Sequence, residues 1–313
     1  MSLILGIDIG GTTMKGGFID PKGNLTARHV VPTPGKENNE VFLNALWELI
    51  RELLDLAGDA ELIGMGIGAP GPPIHTGKGM IIEASNMPGV KNAPVVPFIR
   101  EKLSQRGMDI KIKINNDANA AALGQLYFGQ GKEFSNFAVI TLGTGVGGGL
   151  ILNKRLFSGF HGNAFEAGHI PVFYPGNDVP PRRCGCGSLG CLETIASATG
   201  IKAYYQLFTG QEKRSIEIAD LAKAGDADAK KVFHIAGWAL GHVCVSLVHI
   251  LNLEAIIFTG GLAKAKDLLL PEIEAITQER IFPFLRDRLK IFFTEGDENS
   301  GIKGAASLLF DYA

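Results

Sequence analysis

From Asn39 to Leu56 the apolar residues Phe42, Leu46, Leu49, Ile50, Leu53 and Leu56 recur every three or four positions, which predicts an amphipathic helix. Ahead of it, Leu3–Ile9 is a short β-type run, followed by Gly10-Gly11-Thr12-Thr13 and a second apolar run through Phe18 and Ile19. Asp20-Pro21-Lys22-Gly23-Asn24 supplies turn chemistry after it. The pattern predicts a hairpin that carries a candidate functional loop at its tip. Ile63–Ile67 reads as a buried strand closed by the breakers Gly68-Ala69-Pro70-Gly71. Ile110, Ile112 and Ile114 alternate with lysines, a half-buried strand that runs into Asn115-Asn116-Asp117, and Ala118–Leu126 follows as a helix.

A second glycine-rich hairpin is predicted over Phe137–Leu152, where an apolar run leads through GTGVGGG into Leu150–Leu152. A strand–glycine–strand unit thus occurs twice, which suggests two related α/β domains facing each other across a cleft. Beyond the cysteine cluster the chain turns mostly helical. Val232–Leu251 is a long apolar helix, Ala255–Phe258 a strand, and Gly260-Gly261 a turn into a helix near Leu268–Ile276. Pro283 interrupts the next helix, Ile291–Phe293 is a final strand, and Ile302–Phe310 a final helix. No linker marks a separable third domain.

At 313 residues the chain exceeds the usual size of one domain, and its 46% hydrophobic and 20% charged residues are ordinary for a globular protein. A net charge of −2 without a long basic run argues against a duplex-binding surface. A compact nucleotide stays possible, because backbone amides hold phosphates without much net charge. The N-terminal apolar run is too short for a secretory segment, and the strongest membrane candidate, around Val243–Leu251, contains Ser246 and His249. A soluble cytoplasmic protein is expected, with partners limited to small molecules rather than nucleic acid or membrane.

Asp8-Ile9-Gly10-Gly11-Thr12-Thr13-Met14-Lys15 sets a carboxylate at a strand end, then two glycines and two hydroxyls at a tight turn. Glycine lets the backbone approach a phosphate, the hydroxyls add donors, and Asp8 suits Mg²⁺. A plain glycine-rich hairpin is the competing reading. The chain lacks GxxxxGK[ST], so this is not a P-loop. Thr141-Leu142-Gly143-Thr144-Gly145-Val146-Gly147-Gly148 contains a formal GxGxxG, yet it leads into a strand rather than a helix, which rejects a dinucleotide fingerprint. It suits a second phosphate-cradling turn. Gly260-Gly261 fits either a flat surface under an adenine or an ordinary turn.

Asp117 stands where a strand gives way to a helix, so it is either an N-cap or a base toward an attacking hydroxyl. Asn116 beside it suits hydrogen bonds to neighbouring hydroxyls. His169, Cys184, Cys186 and Cys191 offer one imidazole and three thiolates, a complete tetrahedral set for Zn²⁺ with no open position, hence structural. A disulfide or idle buried thiols are the alternatives; Cys244, alone on an apolar helix, reads as core. Glu166 lies three residues before His169 and Glu193 two after Cys191, so a metal knot would bring both carboxylates together as acceptors for the hydroxyls of a small molecule. Solvent-exposed glutamates are the bland alternative.

The runs DIGGTTMK, NNDANAAALG, TLGTGVGGGLI, FEAGH, CGCGSLGCLE and GGLA, in that order, resemble the ROK family of repressors, uncharacterised reading frames and sugar kinases. The resemblance spans nearly the whole chain. It implies an α/β actin-like ATPase fold with duplicated RNase H-like domains and ATP between them. Residues 1–117 would form a smaller N-terminal domain, joined by a returning C-terminal helix at 302–313, and 118–301 a larger domain with the zinc motif. It implies that Asp117 is the catalytic base and that Asn116, Asp117, Glu166, His169 and Glu193 contact the sugar. Mg²⁺-ATP would be held by Asp8, Gly10, Gly11, Thr12, Thr13, Lys15, Thr141, Gly143, Thr144, Gly145, Gly260 and Gly261. His169 would serve zinc through one nitrogen and a sugar hydroxyl through the other.

Two departures stand out. Phe165 occupies a position where many members carry glycine, and the segment between His169 and Cys184 is longer than in many relatives. DNA-binding members carry an extra N-terminal helix-turn-helix; with the first strand read from residue 3, a kinase-type member is expected instead. The run CLETIASATGI looks like that of the family's glucokinases, so the expected reaction is ATP-dependent phosphorylation of the 6-hydroxyl of glucose. A kinase for N-acetylmannosamine or N-acetylglucosamine is the alternative, and a non-catalytic sugar-binding regulator the alternative of another class. A homodimer, or a tetramer, is expected from family habit and the frequency of two-fold assemblies.

Overall fold

The opening hairpin and the first helix form where the apolar pattern puts them. The computed structural model describes residues 2–58, 60–71, 74–84, 86–160, 162–176, 178–296 and 298–310. Its strands begin with β1 (Ser2–Ile9), β2 (Thr13–Ile19), β3 (Leu25–Pro32) and β4 (Glu61–Ala69), with helix α1 (Asn39–Ala57) before β4. β5 (Ile74–His75), β6 (Met80–Glu83), β7 (Lys91–Ala93), α2 (Val95–Gln105), β8 (Lys111–Asn116) and α3 (Asp117–Phe128) follow. Next come β9 (Phe137–Leu142), β10 (Val146–Leu152) and β11 (Arg155–Leu156), then α4 (Glu193–Ala196), α5 (Ala198–Thr209), α6 (Ser215–Ala224) and α7 (Ala227–Leu251). β12 (Ala255–Thr259), α8 (Lys266–Arg280), α9 (Pro283–Arg286), β13 (Lys290–Phe293) and α10 (Ser300–Ser307) complete the order.

The two larger sheets repeat one plan. Their strand orders are β3-β2-β1-β4-β8 and β11-β10-β9-β12-β13, which is the order 3-2-1-4-5 in each when strands are numbered within the sheet. In the first, β1 runs antiparallel to β2 and parallel to β4, and β4 runs parallel to β8. In the second, β12 runs parallel to both β9 and β13. The duplication read from two glycine hairpins is therefore a duplication of whole sheets.

The chain divides into two compact units, 1–133 with 149–165 and 297–313, and 134–148 with 166–296. The division after 133 differs from the expected one after 117, because α3 packs on α10 in the first unit. α10 ends at Ser307; residues 311–313 of the expected helix at 302–313 lie outside the described residues. In the first unit α1 buries Phe42, Leu46, Leu49, Ile50 and Leu53 against the sheet, and Asn38 caps it by accepting the Val41 N–H at 3.0 Å. Leu56, assigned to the same stripe, is 66% exposed in the last turn.

β4 continues through Gly68 and Ala69, which had read as breakers. Backbone pairing explains it: Asp8 stands opposite Gly68, and Gly68 opposite Asn115. In the second unit α7 has the length and mean hydropathy, 1.5, of a membrane span, longer than its sequence suggested. It packs against α5, α6 and α8 and buries Val232, Phe233, Leu240, Val243 and Leu247 in that unit's core.

Candidate active site

In the first unit the candidate residues gather at the carboxyl ends of β1, β4 and β8, the edge at which α/β sheets bind ligands. Asp8 ends β1 on one side of Gly68, and Asn115 and Asn116 end β8 on the other. The loop between β1 and β2 is fixed through its carbonyls. Gly10 N–H donates to Thr13 O at 2.9 Å, Thr33 N–H to Thr12 O at 2.9 Å, and Thr33 Oγ1 to Gly10 O at 2.7 Å. Thr33, just after β3, escapes a local reading because it lies twenty residues beyond the turn it ties. Lys15 stands directly across the ladder from Asp8. Burial pushes the Asp8 carboxyl above its ordinary range, and the Lys15 charge opposes that shift.

The strand-to-helix corner at Asn115–Asn119 separates two roles that the sequence left open. Asn116, not Asp117, is the N-cap of α3: its Oδ1 accepts the Ala118 N–H at 2.8 Å. Its Nδ2 donates to Gly71 O at 2.5 Å. Asn115 Oδ1 accepts both the Asn116 N–H at 2.8 Å and the Asn119 Nδ2 at 3.0 Å, so one buried oxygen ties the strand end to the helix turn. Asp117, in the first turn of α3, is exposed, whereas Asn115, Asn116 and Asn119 are buried. A carboxylate that does not cap the helix, standing on a rigid corner, suits the orientation of a substrate hydroxyl.

In the second unit the other candidates converge on Val146, the first residue of β10. Glu193, at the start of α4, accepts the Val146 N–H at 3.0 Å through Oε2. Glycine is needed at 145 for this, since a Cβ there would stand 3.0 Å from Glu193 Cδ. Thr141 Oγ1 accepts the Gly147 N–H at 3.2 Å, the Gly143 N–H donates to Gly145 O, and Gly143 O accepts the Ala198 N–H at the start of α5. Thr199 Oγ1 donates to Thr144 O at 2.8 Å. Gly168 lies against the Val146 backbone, where a Cβ would meet Val146 C at 2.9 Å. This presses the 3-10 turn Ala167–His169 onto β10 and sets Glu166 and His169 near Glu193.

Burial raises the Glu166 carboxyl above its ordinary range; His169 opposes the shift and Glu193 adds to it. Phe165, the residue before it, has φ +66, a left-handed backbone that costs a bulky side chain and that glycine adopts freely. Gly260, with φ +99, brings the end of β12 against Leu142 C at 3.0 Å from its would-be Cβ, whereas Gly261 faces open space.

The cysteine motif fits a zinc ion. One donor atom from each of His169, Cys184, Cys186 and Cys191 lies within 4.8 Å of all the others. Cys184 Sγ to His169 Nδ1 and Cys186 Sγ to Cys191 Sγ are both 3.6 Å. Zinc–sulfur bonds of about 2.3 Å in a tetrahedron require edges of about 3.8 Å. Nδ1 therefore faces the metal position, which leaves His169 Nε2 for another partner. Gly187 and Gly190, at φ +91 and +75, supply the left-handed turns between the thiols. All four cysteines are free thiols, and Cys244 is buried in α7. Hydrogen bonds from the Ser188 backbone and side chain pull the exposed Cys186 thiol down to about 6, while burial pushes Cys191 up to about 12. Cys184 Sγ also lies 3.6 Å from Glu193 Oε1, so Glu193 touches the motif with one oxygen and the glycine loop with the other.

Val172, Phe173, Tyr174, Val179, Pro180 and Pro181, together with Ile195 and Tyr204, line a cavity of about 240 Å³. Asn177 of the longer segment lies outside the described residues.

Two sheets of the same plan, each offering strand ends and glycine turns to a ligand, define an actin-like ATPase fold. The chain belongs to the ROK family, whose profile matches residues 4–311, and it stands with the sugar kinases of that family. It is 33% identical to a glucokinase of Halalkalibacterium halodurans over 97% of this chain and 94% of the relative. It is 35% identical to an N-acetyl-D-glucosamine kinase of Citrobacter koseri over 82% of this chain and 84% of the relative. Among solved structures it resembles a ROK family glucokinase from Streptomyces griseus in complex with glucose and AMPPNP, with a TM-score of 0.77 and 26% identity. That match covers 98% of each chain.

The Glu193–Val146 bond makes one substitution informative. Gly145→Ala forces the Glu193 carboxylate off the loop, and turnover is expected to fall about tenfold or more, because misplacing a group by about 1 Å costs up to 10²-fold. Steady-state kinetics with ATP varied at saturating sugar measures the loss.

Proposed function

We propose that the chain transfers the terminal phosphoryl group of ATP to the 6-hydroxyl of glucose. The observation that carries this reading is the placement of Asp117: an exposed carboxylate in the first turn of α3, relieved of capping by Asn116. Asp117 orients the 6-hydroxyl and takes its proton as the oxygen bonds to the γ-phosphorus and the bond to ADP breaks. In a loose transition state, orientation is the larger part of that contribution. Glu166, His169 through Nε2, and Glu193 take remaining sugar hydroxyls as partners, and a further hydroxyl is assigned to Asn116.

The turn Gly10–Thr13, whose carbonyls are engaged by Thr33, offers N–H and hydroxyl donors to phosphate oxygens. Thr141, Gly143, Thr144 and Gly145 provide a second such turn, and the open face of Gly261 beside Gly260 suits the adenine. A magnesium ion held by Asp8, when bound, neutralises charge on the phosphates. Zinc on His169, Cys184, Cys186 and Cys191 has no open position and organises the sugar residues without entering the reaction.

The likeness to the N-acetylglucosamine kinase favours a second reading, a kinase for an N-acyl hexosamine, which would use the same carboxylates. The two differ in how the pocket treats the 2-substituent. Measuring kcat/KM for glucose, N-acetylglucosamine and N-acetylmannosamine separates them. Glucose is expected to lead by about tenfold or more, the scale on which pocket shape discriminates small substituents. Turnover of an N-acyl sugar with none of glucose would remove the first reading, and sugar binding without any turnover would remove both.

A further inference from the structure

The geometry points to Gly301, in the first turn of α10, as a positioning residue for Asp8. A Cβ at 301 would stand 2.5 Å from Asp8 Cγ and closer still to Oδ2, so the carboxylate lies directly against the glycine backbone. α10 reaches this position because other glycines remove side chains from its path. A Cβ on Gly6 of β1 would stand 3.0 Å from Ile302 C, and one on Gly66 of β4 would stand 2.7 Å from Ala305 C. On its other side, Gly124 of α3 meets Gly304, with 3.1 Å from the would-be Cβ to the Gly304 Cα.

Glycine in a helix costs stability relative to alanine, and φ at 301 lies outside the left-handed region that would otherwise call for it. Gly301 is explained by what lies against it. Asn299 makes no side-chain capping bond to α10, and the Asp8 carboxylate stands at that end of the helix, where the dipole favours negative charge. The C-terminal helix thus sets the position of the carboxylate assigned to magnesium; this consequence rests on the role proposed for Asp8, whereas the contact itself does not.

A double-mutant cycle tests the inference in the full chain. Thermal unfolding of the wild type, Gly301→Ala, Asp8→Ala and the double variant is followed without metal or nucleotide. Gly301→Ala is expected to lower Tm, and the double variant to melt close to Asp8→Ala, since removing the carboxylate leaves only the Cβ of residue 8 near the new methyl, at 3.1 Å. Magnesium titrations of turnover form the second arm. Gly301→Ala is expected to need more magnesium for half-maximal turnover and to lose about 10²-fold in kcat, the cost of moving a reacting group by about 1 Å. Its KM for glucose should stay near the wild-type value.

Gly304→Ala, which presses on Ala120 O at 2.7 Å, serves as the comparison: it loses stability without a changed magnesium requirement. Additive losses of Tm in the cycle, or normal magnesium dependence of Gly301→Ala while Asp8→Ala is inactive, would overturn the inference. If Asp8→Ala itself keeps normal turnover, the role proposed for Asp8 falls, and the melting cycle alone decides whether Gly301 positions it.

Discussion

Asp117→Asn is expected to bind glucose with nearly unchanged affinity and to lose about 10²–10⁴-fold in kcat, the range set by removal of a positioned proton acceptor. The helix cap is not at stake in this substitution. Asn116 caps α3 through its Oδ1 at 2.8 Å, so replacing Asp117 does not uncap the helix. Asp117 is exposed, and an amide of the same shape adds no packing cost there. The contrast with the neighbouring position is sharp: Asn116→Ala should cost about 1 kcal/mol of stability through the lost cap. Asp117→Asn should leave Tm close to the wild type. Glucose binding by calorimetry, with kcat from ADP release, reads both parts. Near-normal turnover of Asp117→Asn would remove it as the base.

Removal of zinc is expected to act on the sugar rather than on the phosphate. The four donors lie close enough to share one ion, so metal analysis should find about one zinc per chain. His169 is both a member of this donor set and a neighbour of Glu166, while Glu193 touches Cys184 Sγ at 3.6 Å and the Val146 N–H at 3.0 Å. Without the ion, buried Cys191 is a neutral thiol with nothing to hold its turn, and these carboxylates lose their common support. Cys191→Ser or exhaustive chelation is expected to lower Tm and raise the KM for glucose about 10–100-fold, the scale of losing a metal's organising contacts. Returning zinc should restore the chelated protein and not the variant. Full activity in a metal-free preparation would contradict this.

The sequence was most readable where one chemistry dominates a short stretch. The stripe of α1, the alternation before Asn115 and the CxCx4C spacing each translate directly into an element or a ligand set. Where contacts are remote, local pattern says little. Gly145 and Glu193 are far apart in sequence, and neither shows that one exists to admit the other. Helix α2, which the sequence reading leaves unassigned, follows Pro94 and carries Pro97 in its first turn, where a proline lacks only an N–H that would have no acceptor. The small sheet of β5, β6 and β7 is built from strands of two to four residues, too short for any periodicity to register. Gly68 was misread for a related reason: its neighbours across the ladder, Asp8 and Asn115, decide its conformation, and they lie sixty and forty-seven residues away.

The most direct test of the whole account is the product formed from ATP and glucose by the purified, zinc-loaded chain with magnesium. Phosphorus NMR of the reaction mixture should show glucose 6-phosphate and ADP appearing in equal amounts, with both forming about 10²-fold or more slowly for Asp117→Asn. ADP accompanied only by inorganic phosphate, or phosphorylation confined to an N-acyl hexosamine, would contradict it.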